Sequence, residues 1–161
     1  MLEVIGIEGV HAKTVPQYGR PVTLPSLDQI RTVAVIGAGT MGHGIAHVSA
    51  LAERRVRLYD AISGAAHAAL GKIDKNLAKS VELGKLADPD RAAALARIEA
   101  SEDLAAAVRD ADLVIEAVPE RIELKREIFA TCDRAAPAHA LFASNTSSLS
   151  IAEIAKAVAD P

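Results

Sequence analysis

Apolar positions along the chain switch between short strand-like runs and helical repeats, and those switches lay out its elements. Val33-Ala34-Val35-Ile36 is unbroken and β-branched, which predicts a buried parallel strand. Ile45, Ala46, Val48 and Ala50 then continue an apolar helical stretch, and Val56-Arg57-Leu58-Tyr59 predicts a second strand ending at Asp60. Leu70, Ile73, Leu77 and Val81 recur on one helical face, while Lys72, Lys75 and Lys79 share the opposite one, and Gly84 offers a stop. A further helix is expected over residues 90–95, because Asp88-Pro89 is a good start signal. An α-hairpin is therefore inserted between strands two and three.

Arg97-Ile98-Glu99-Ala100 predicts the third strand, and Ser101-Glu102-Asp103 opens a brief helix through Val108. Asp112-Leu113-Val114-Ile115-Glu116-Ala117-Val118 predicts a strand that ends at Pro119-Glu120. The next helix places Leu124, Ile128 and Cys132 four apart with Phe129 beside them, and Pro137 ends it. Leu141-Phe142-Ala143 is the last strand, giving way to the polar run Ser144-Asn145-Thr146-Ser147-Ser148. Ser150 and Glu153 have capping-box spacing for a final helix whose apolar face is Ile151, Ile154 and Val158.

Strands alternating with helices imply an α/β fold, a Rossmann-like doubly wound parallel sheet with both faces covered and the α-hairpin inserted. In such sheets the ligand sits outside the carboxyl ends of the strands. Residues 37–42, Asp60, the Val118-Pro119-Glu120 turn and residues 144–148 all fall there. Residues 1–30 do not join this pattern: they carry Pro16, Pro21 and Pro25 with Gly6, Gly9 and Gly19, and only Leu2-Glu3-Val4-Ile5-Gly6-Ile7 looks strand-like. They are expected to be an extension or linker, or else a junction to another domain, with the folded domain over residues 31–161.

At 161 residues the chain fits one domain able to bury a core. Half of it is hydrophobic, yet two tyrosines and two phenylalanines supply every aromatic ring, so the core is expected to be small and aliphatic. A net charge of −3 gives no pull toward nucleic acid or an anionic membrane. No run approaches the ~18 apolar residues of a membrane span, the N-terminus lacks the plan of a secretory signal, and no metal is expected. The single cysteine, Cys132, excludes an internal disulfide, suits a reducing cytoplasm and is expected in the core.

The chemistry begins where the first strand empties into Gly37, Gly39 and Gly42, the G-x-G-x-x-G spacing. The first glycine permits a tight turn, the second lets a pyrophosphate approach the backbone, and the third lets the next helix pack close. That helix N-terminus offers N–H groups and partial positive charge to an anion. Asp60 stands where adenosine ribose hydroxyls need an acceptor, and Ala61 follows it rather than an arginine able to hold a 2′-phosphate. NAD is favoured over NADP, although Arg54, Arg55 and Arg57 are close in sequence.

Three blocks extend this picture: V-A-V-I-G-A-G-T-M-G-H-G-I-A, A-D-L-V-I-E-A-V-P-E-R-I-E-L-K-R-E-I-F and F-A-S-N-T-S-S-L-S-I. Through them residues 31–160 resemble the NAD-binding domain of the 3-hydroxyacyl-CoA dehydrogenase family, which includes 3-hydroxybutyryl-CoA dehydrogenases. The resemblance implies that Gly37, Gly39, Thr40, Met41 and Gly42 meet the cofactor pyrophosphate and Asp60 the adenosine ribose. It implies that Glu120, Lys125 and Asn145 lie beside the nicotinamide half. Ser147 would hydrogen-bond the substrate's 3-oxygen, which makes Ser147 and Glu120 the catalytic candidates. The hairpin with Lys72, Lys75 and Lys79 would receive the coenzyme A portion of an acyl-CoA. The implied reaction is reversible hydride transfer between C3 of an L-3-hydroxyacyl thioester and the nicotinamide, as in fatty-acid β-oxidation.

From the residues alone, plainer readings stand beside these: the lysine stripe and the Glu120–Lys125 helix start as solvated faces, and Ser147 as part of a capping turn. Two departures from the family's pattern matter. Glu53 replaces the glycine that usually ends the first helix, at a cost of about 1 kcal/mol if the position is left-handed. The family's histidine base, in a G-x-H-F-F-N-P-type segment, and its helical domain follow beyond Asp160-Pro161. None of His11, His43, His47, His67 or His139 takes that histidine's place; His43 and His47 are read as helix surface or packing. The chain is expected to be the cofactor half of such an enzyme, or alternatively a non-catalytic NAD-binding module or assembly partner.

Overall fold

The computed structural model describes residues 26–159; the strand-like run at residues 2–7 and the pair Asp160-Pro161 lie outside them. One turn of 3-10 helix, Leu27–Gln29, precedes the sheet, closed by a bond of 2.7 Å from Ser26 N–H to Gln29 Oε1, and Ile30 packs on the core. Five parallel strands follow in chain order: β1 (Thr32–Ile36), β2 (Arg55–Tyr59), β3 (Ile98–Ser101), β4 (Leu113–Glu116) and β5 (Leu141–Ser144). Their spatial order is β3-β2-β1-β4-β5, so the chain runs outward from β1 to one edge and then crosses back to β4. Register aligns Ser101, Tyr59, Ile36, Glu116 and Ser144 in one row at the carboxyl edge. The loops that leave this row share one crevice at the reversal of strand order.

β1 is buried along its whole length because both its faces are covered. Val33 and Val35 point into a cluster with α1 (Thr40–Leu51), α2 (Ala65–Glu82) and α3 (Asp88–Ala96); Ala46, Ala50, Ile73, Leu77 and Ala94 complete it. Ala34 and Ile36 point the other way, toward α4 (Leu104–Val108) and α5 (Ile122–Ala135), joining Val108, Val114 and Cys132. Burying Ile73 or Leu77, each fully enclosed, contributes about 1.5–3 kcal/mol. α6 (Ile151–Ala155) packs on α5. Among the described residues, no helix is long and apolar enough to cross a membrane.

The inserted hairpin is present as α2 and α3, with Pro89 in the first turn of the second helix. Several local expectations change. β4 stops at Glu116, short of Val118, because the Val118 N–H is taken at 2.6 Å by the Glu116 carboxylate instead of a neighbouring strand. The fully buried stripe of α5 is Lys125, Phe129 and Cys132; Ile128 packs half-buried against the same cluster, whereas Leu124 does not join it. In α6 Ile154 is buried but Ile151 is 56% exposed. Ser150 Oγ accepts the Glu153 N–H, while the Glu153 carboxylate turns to Lys156 and Arg126, leaving half a capping box.

Candidate functional site

The loop after β1 is shaped by what its glycines exclude. Gly37 has φ +105, and a Cβ there would lie 2.6 Å from the Ala117 carbonyl oxygen. The first glycine therefore lets two adjacent loops touch. A Cβ on Gly42 would lie 1.6 Å from the Gly37 carbonyl oxygen, so the third glycine lets α1 begin hard against the loop. At Gly39 a Cβ would meet nothing within 4 Å. Gly39 is the N-cap of α1, no side chain caps that end, and its first-turn N–H groups face an open space.

Asp60, at the tip of β2, holds this loop from the side. Its Oδ2 accepts the Ala38 N–H at 2.7 Å and its Oδ1 the Ile62 N–H at 2.9 Å. Each oxygen keeps a further lone pair. Burial, and then the Asp60 charge, push the neighbouring Tyr59 phenol above its ordinary range. The cleft beside the loop has a volume of about 690 Å³ and is bordered by Gly37, Gly39, Thr40, Met41 and Asp60 on one side and by Val118, Pro119 and Asn145 on the other. Leu104, Leu124 and Ile128 supply much of its apolar wall.

A polar network sits behind the Asn145 side. Lys125 and Glu116 are both fully buried, with Nζ 2.8 Å from Oε1 and 2.9 Å from Oε2. The same ammonium lies 3.1 Å from Glu120 Oε2. Glu120 Oε1 accepts the Thr146 hydroxyl and, at 3.0 Å, the Ser148 hydroxyl. The Thr146 bond above all, with help from Lys125 and Ser148, holds the Glu120 carboxyl down to about 2. Glu120 therefore stays ionised across neutral pH and acts as a hydrogen-bond acceptor toward Thr146 and Ser148.

Of the residues singled out from the sequence, Gly37, Gly39, Thr40, Met41, Asp60 and Asn145 line the cleft, and Gly42 packs behind the loop. Ser147 is exposed between Thr146 and Ser148 and takes no part in the Glu120 network. Lys125 contradicts its solvated reading, being fully buried with its ammonium between Glu116 and Glu120. Lys72, Lys75 and Lys79 are exposed on α2 and none of them borders the cleft; Lys79 pairs with Glu82 at 3.0 Å. His43 Nδ1 lies 2.8 Å from the Gly39 carbonyl, and burial, then His43, lower the His47 pKa. Cys132 is buried and its thiol pushed up to about 12. Sequence reasoning missed Glu116 and Ser144. The available signal was an acidic residue closing the apolar run Leu113-Val114-Ile115.

Residues 32–161 match the family model described as 3-hydroxyacyl-CoA dehydrogenase, NAD binding domain. The chain belongs to this family. Its cofactor is NAD. A probable 3-hydroxybutyryl-CoA dehydrogenase of Bacillus subtilis is 45% identical over 127 residues, covering 79% of this chain and 44% of the relative. The 3-hydroxyadipyl-CoA dehydrogenase of Escherichia coli is 42% identical, over 82% of this chain and 28% of its own length. The crystal structure of (S)-3-hydroxybutyryl-CoA dehydrogenase from Ralstonia eutropha superposes with a TM-score of 0.76 at 36% identity, covering 81% of this chain and 46% of that one. The chain thus spans less than half the length of these relatives.

Proposed function

We propose that this domain serves as the NAD-holding part of an L-3-hydroxyacyl-CoA dehydrogenase of the kind used in fatty-acid β-oxidation or 3-hydroxybutyryl-CoA metabolism. The observation that carries the reading is the open side of Gly39, which faces a cleft shared with Asp60 and Asn145. The missing side chain leaves room for a pyrophosphate at the uncapped N-terminus of α1. Asp60 retains lone pairs for ribose hydroxyls, and its negative charge beside Ala61 disfavours a 2′-phosphate. Bound NAD would supply the hydride acceptor. Asn145 would border its nicotinamide half, with Glu120 fixing the loop that also presents Ser147 to the substrate oxygen.

Among the described residues, no histidine lines the cleft, and the Glu120 carboxylate, held by Thr146, Ser148 and Lys125, is a weak base. The acceptor of the hydroxyl proton is therefore assigned outside this segment, and the acyl-CoA thioester would reach the domain with the exposed lysines of α2 beside it. The same observation supports a second reading, a module that binds NAD without turning over. Residues 31–161 are proposed as the folded unit, and the buried lone thiol supports a cytoplasmic setting. The deciding assay is NADH formation from 3-hydroxybutyryl-CoA, with and without the separately supplied C-terminal half of the Bacillus relative. Turnover only in the mixture is expected; turnover by the chain alone overturns the assignment of the proton acceptor. Undetectable NAD binding in calorimetry, or binding that Asp60→Ala leaves unchanged, overturns the cofactor site.

A further inference from the structure

Just beyond the paired ends of β2 and β3, two carboxylates stand on neighbouring strands. Tyr59 pairs with Ser101 in register, so Asp60 and Glu102 are the next residue on each strand. Between them they hold both ends of the loop at residues 61–64. Asp60 Oδ1 accepts the Ile62 N–H at 2.9 Å, and Glu102 Oε1 accepts the Gly64 N–H at 3.2 Å. Gly64 is the N-cap of α2 and has no side chain with which to cap that end, so the carboxylate reaching across from β3 supplies the negative charge that a helix N-terminus favours. Ala61 and Ile62 on one side, and Leu104 two residues beyond Glu102 on the other, border the cleft at its Asp60 end. Glu102 therefore stands at the margin of the place assigned above to the adenosine ribose.

The arginines nearest in sequence do not offset this charge. Arg54 and Arg55 lie at the opposite end of β2, and Arg57, inside the strand, is paired with Glu99 and Asp110. From residue 61 to residue 71 the one basic side chain is His67, and its Nδ1 lies 3.4 Å from Glu102 Oε1. A phosphate on the ribose 2′-oxygen needs a cation and free N–H groups beside it. Here the nearest basic side chain and the Gly64 N–H are both engaged by one carboxylate. We infer that Glu102 is a second specificity-determining residue of the cofactor site, its charge acting with that of Asp60 to exclude a 2′-phosphorylated dinucleotide. This rests on the cofactor site proposed above.

NAD and NADP differ only in the 2′-phosphate, so the experiment measures how well each displaces bound NADH from the full chain and from Glu102→Gln and Glu102→Asp. Glutamine keeps an oxygen for the Gly64 N–H and removes the charge; aspartate keeps the charge on a side chain one methylene shorter. Glu102→Gln is expected to bind NADP about tenfold more tightly than wild type, with NAD held within about twofold. Glu102→Asp is expected to stay within about twofold of wild type for both. NADP that displaces NADH no better from Glu102→Gln than from wild type overturns the inference. So does an equal change for both nucleotides, the mark of a merely structural role in the loop, or a Glu102→Asp chain that gains NADP affinity as the glutamine variant does. A wild-type chain that does not bind NADH overturns the cofactor site and this inference together; wild-type NADH binding with the wrong variant pattern overturns the inference alone.

Discussion

A side-chain carbon on Gly42 would fall 1.6 Å from the carbonyl oxygen of Gly37, closer than any two such atoms approach, whereas one on Gly39 would meet nothing within 4 Å. Two glycines of one motif therefore carry separable duties. Gly42→Ala is expected to destabilise the domain by about 3 kcal/mol through forced backbone movement. Gly39→Ala, at φ −66, is expected to unfold like wild type but to bind NAD more weakly. Denaturant titration and calorimetry on the two variants check this pair of outcomes, and equal stabilities would refute it.

The enclosed Lys125–Glu116 pair predicts an asymmetry between single and double replacements. Lys125→Ala leaves a buried carboxylate without its cation and is expected to cost about 3–5 kcal/mol. Glu116→Gln/Lys125→Met removes both charges and is expected to cost much less. Urea midpoints measured side by side decide it; a loss under about 1 kcal/mol for Lys125→Ala would mean that Glu116 had found another partner.

Glu120 ties stability to acidity. Its carboxyl ionises at about 2 in the folded chain against an ordinary 4.5, so the unfolded chain takes up the proton first. The contribution is fully present above pH 4.5 and is lost as pH falls from there toward 2. Thermal unfolding across that window should fall less steeply for Glu120→Gln than for wild type, once Thr146 and Ser148 no longer favour the charged form.

Glu53 occupies the left-handed region at φ 63, where a side chain is strained. It is 80% exposed on its side chain and only 4.0 Å from Arg97, a pairing worth little in solvent. Glu53→Gly is expected to raise stability by about 1 kcal/mol with NAD affinity unchanged. A lower denaturation midpoint would assign Arg97 a larger part.

Cys132, buried and with its thiol pushed up to about 12, should resist iodoacetamide at pH 8 in the native chain and react fully after unfolding. Mass spectrometry of the two samples gives the answer directly.

Much of the site was legible because its signals are local. Gly37, Gly39, Gly42 and Asp60 lie next to one strand end or the next, and the structure brings Asn145 to the same cleft. The reading slipped at α5. Leu124, Ile128 and Cys132 satisfy helical spacing, but so do Lys125, Phe129 and Cys132, and neighbouring positions differ by only about 100° around the axis. Cleft and core both accept apolar side chains, so Leu124 went to the cleft, Ile128 borders the cleft while packing on the core, and Lys125 turned inward.

The sequence by itself determined the alternation of strands and helices, the inserted hairpin, the glycine turn and the family, because each is written in spacings over a few residues or in contiguous blocks. Only the tertiary structure decided what Lys125 and Glu116 do. The partners of the Glu116 carboxylate lie 2, 9 and 28 residues away along the chain. A buried charge is tolerable only where folding has gathered enough donors around it, and no spacing along the chain announces that they will meet.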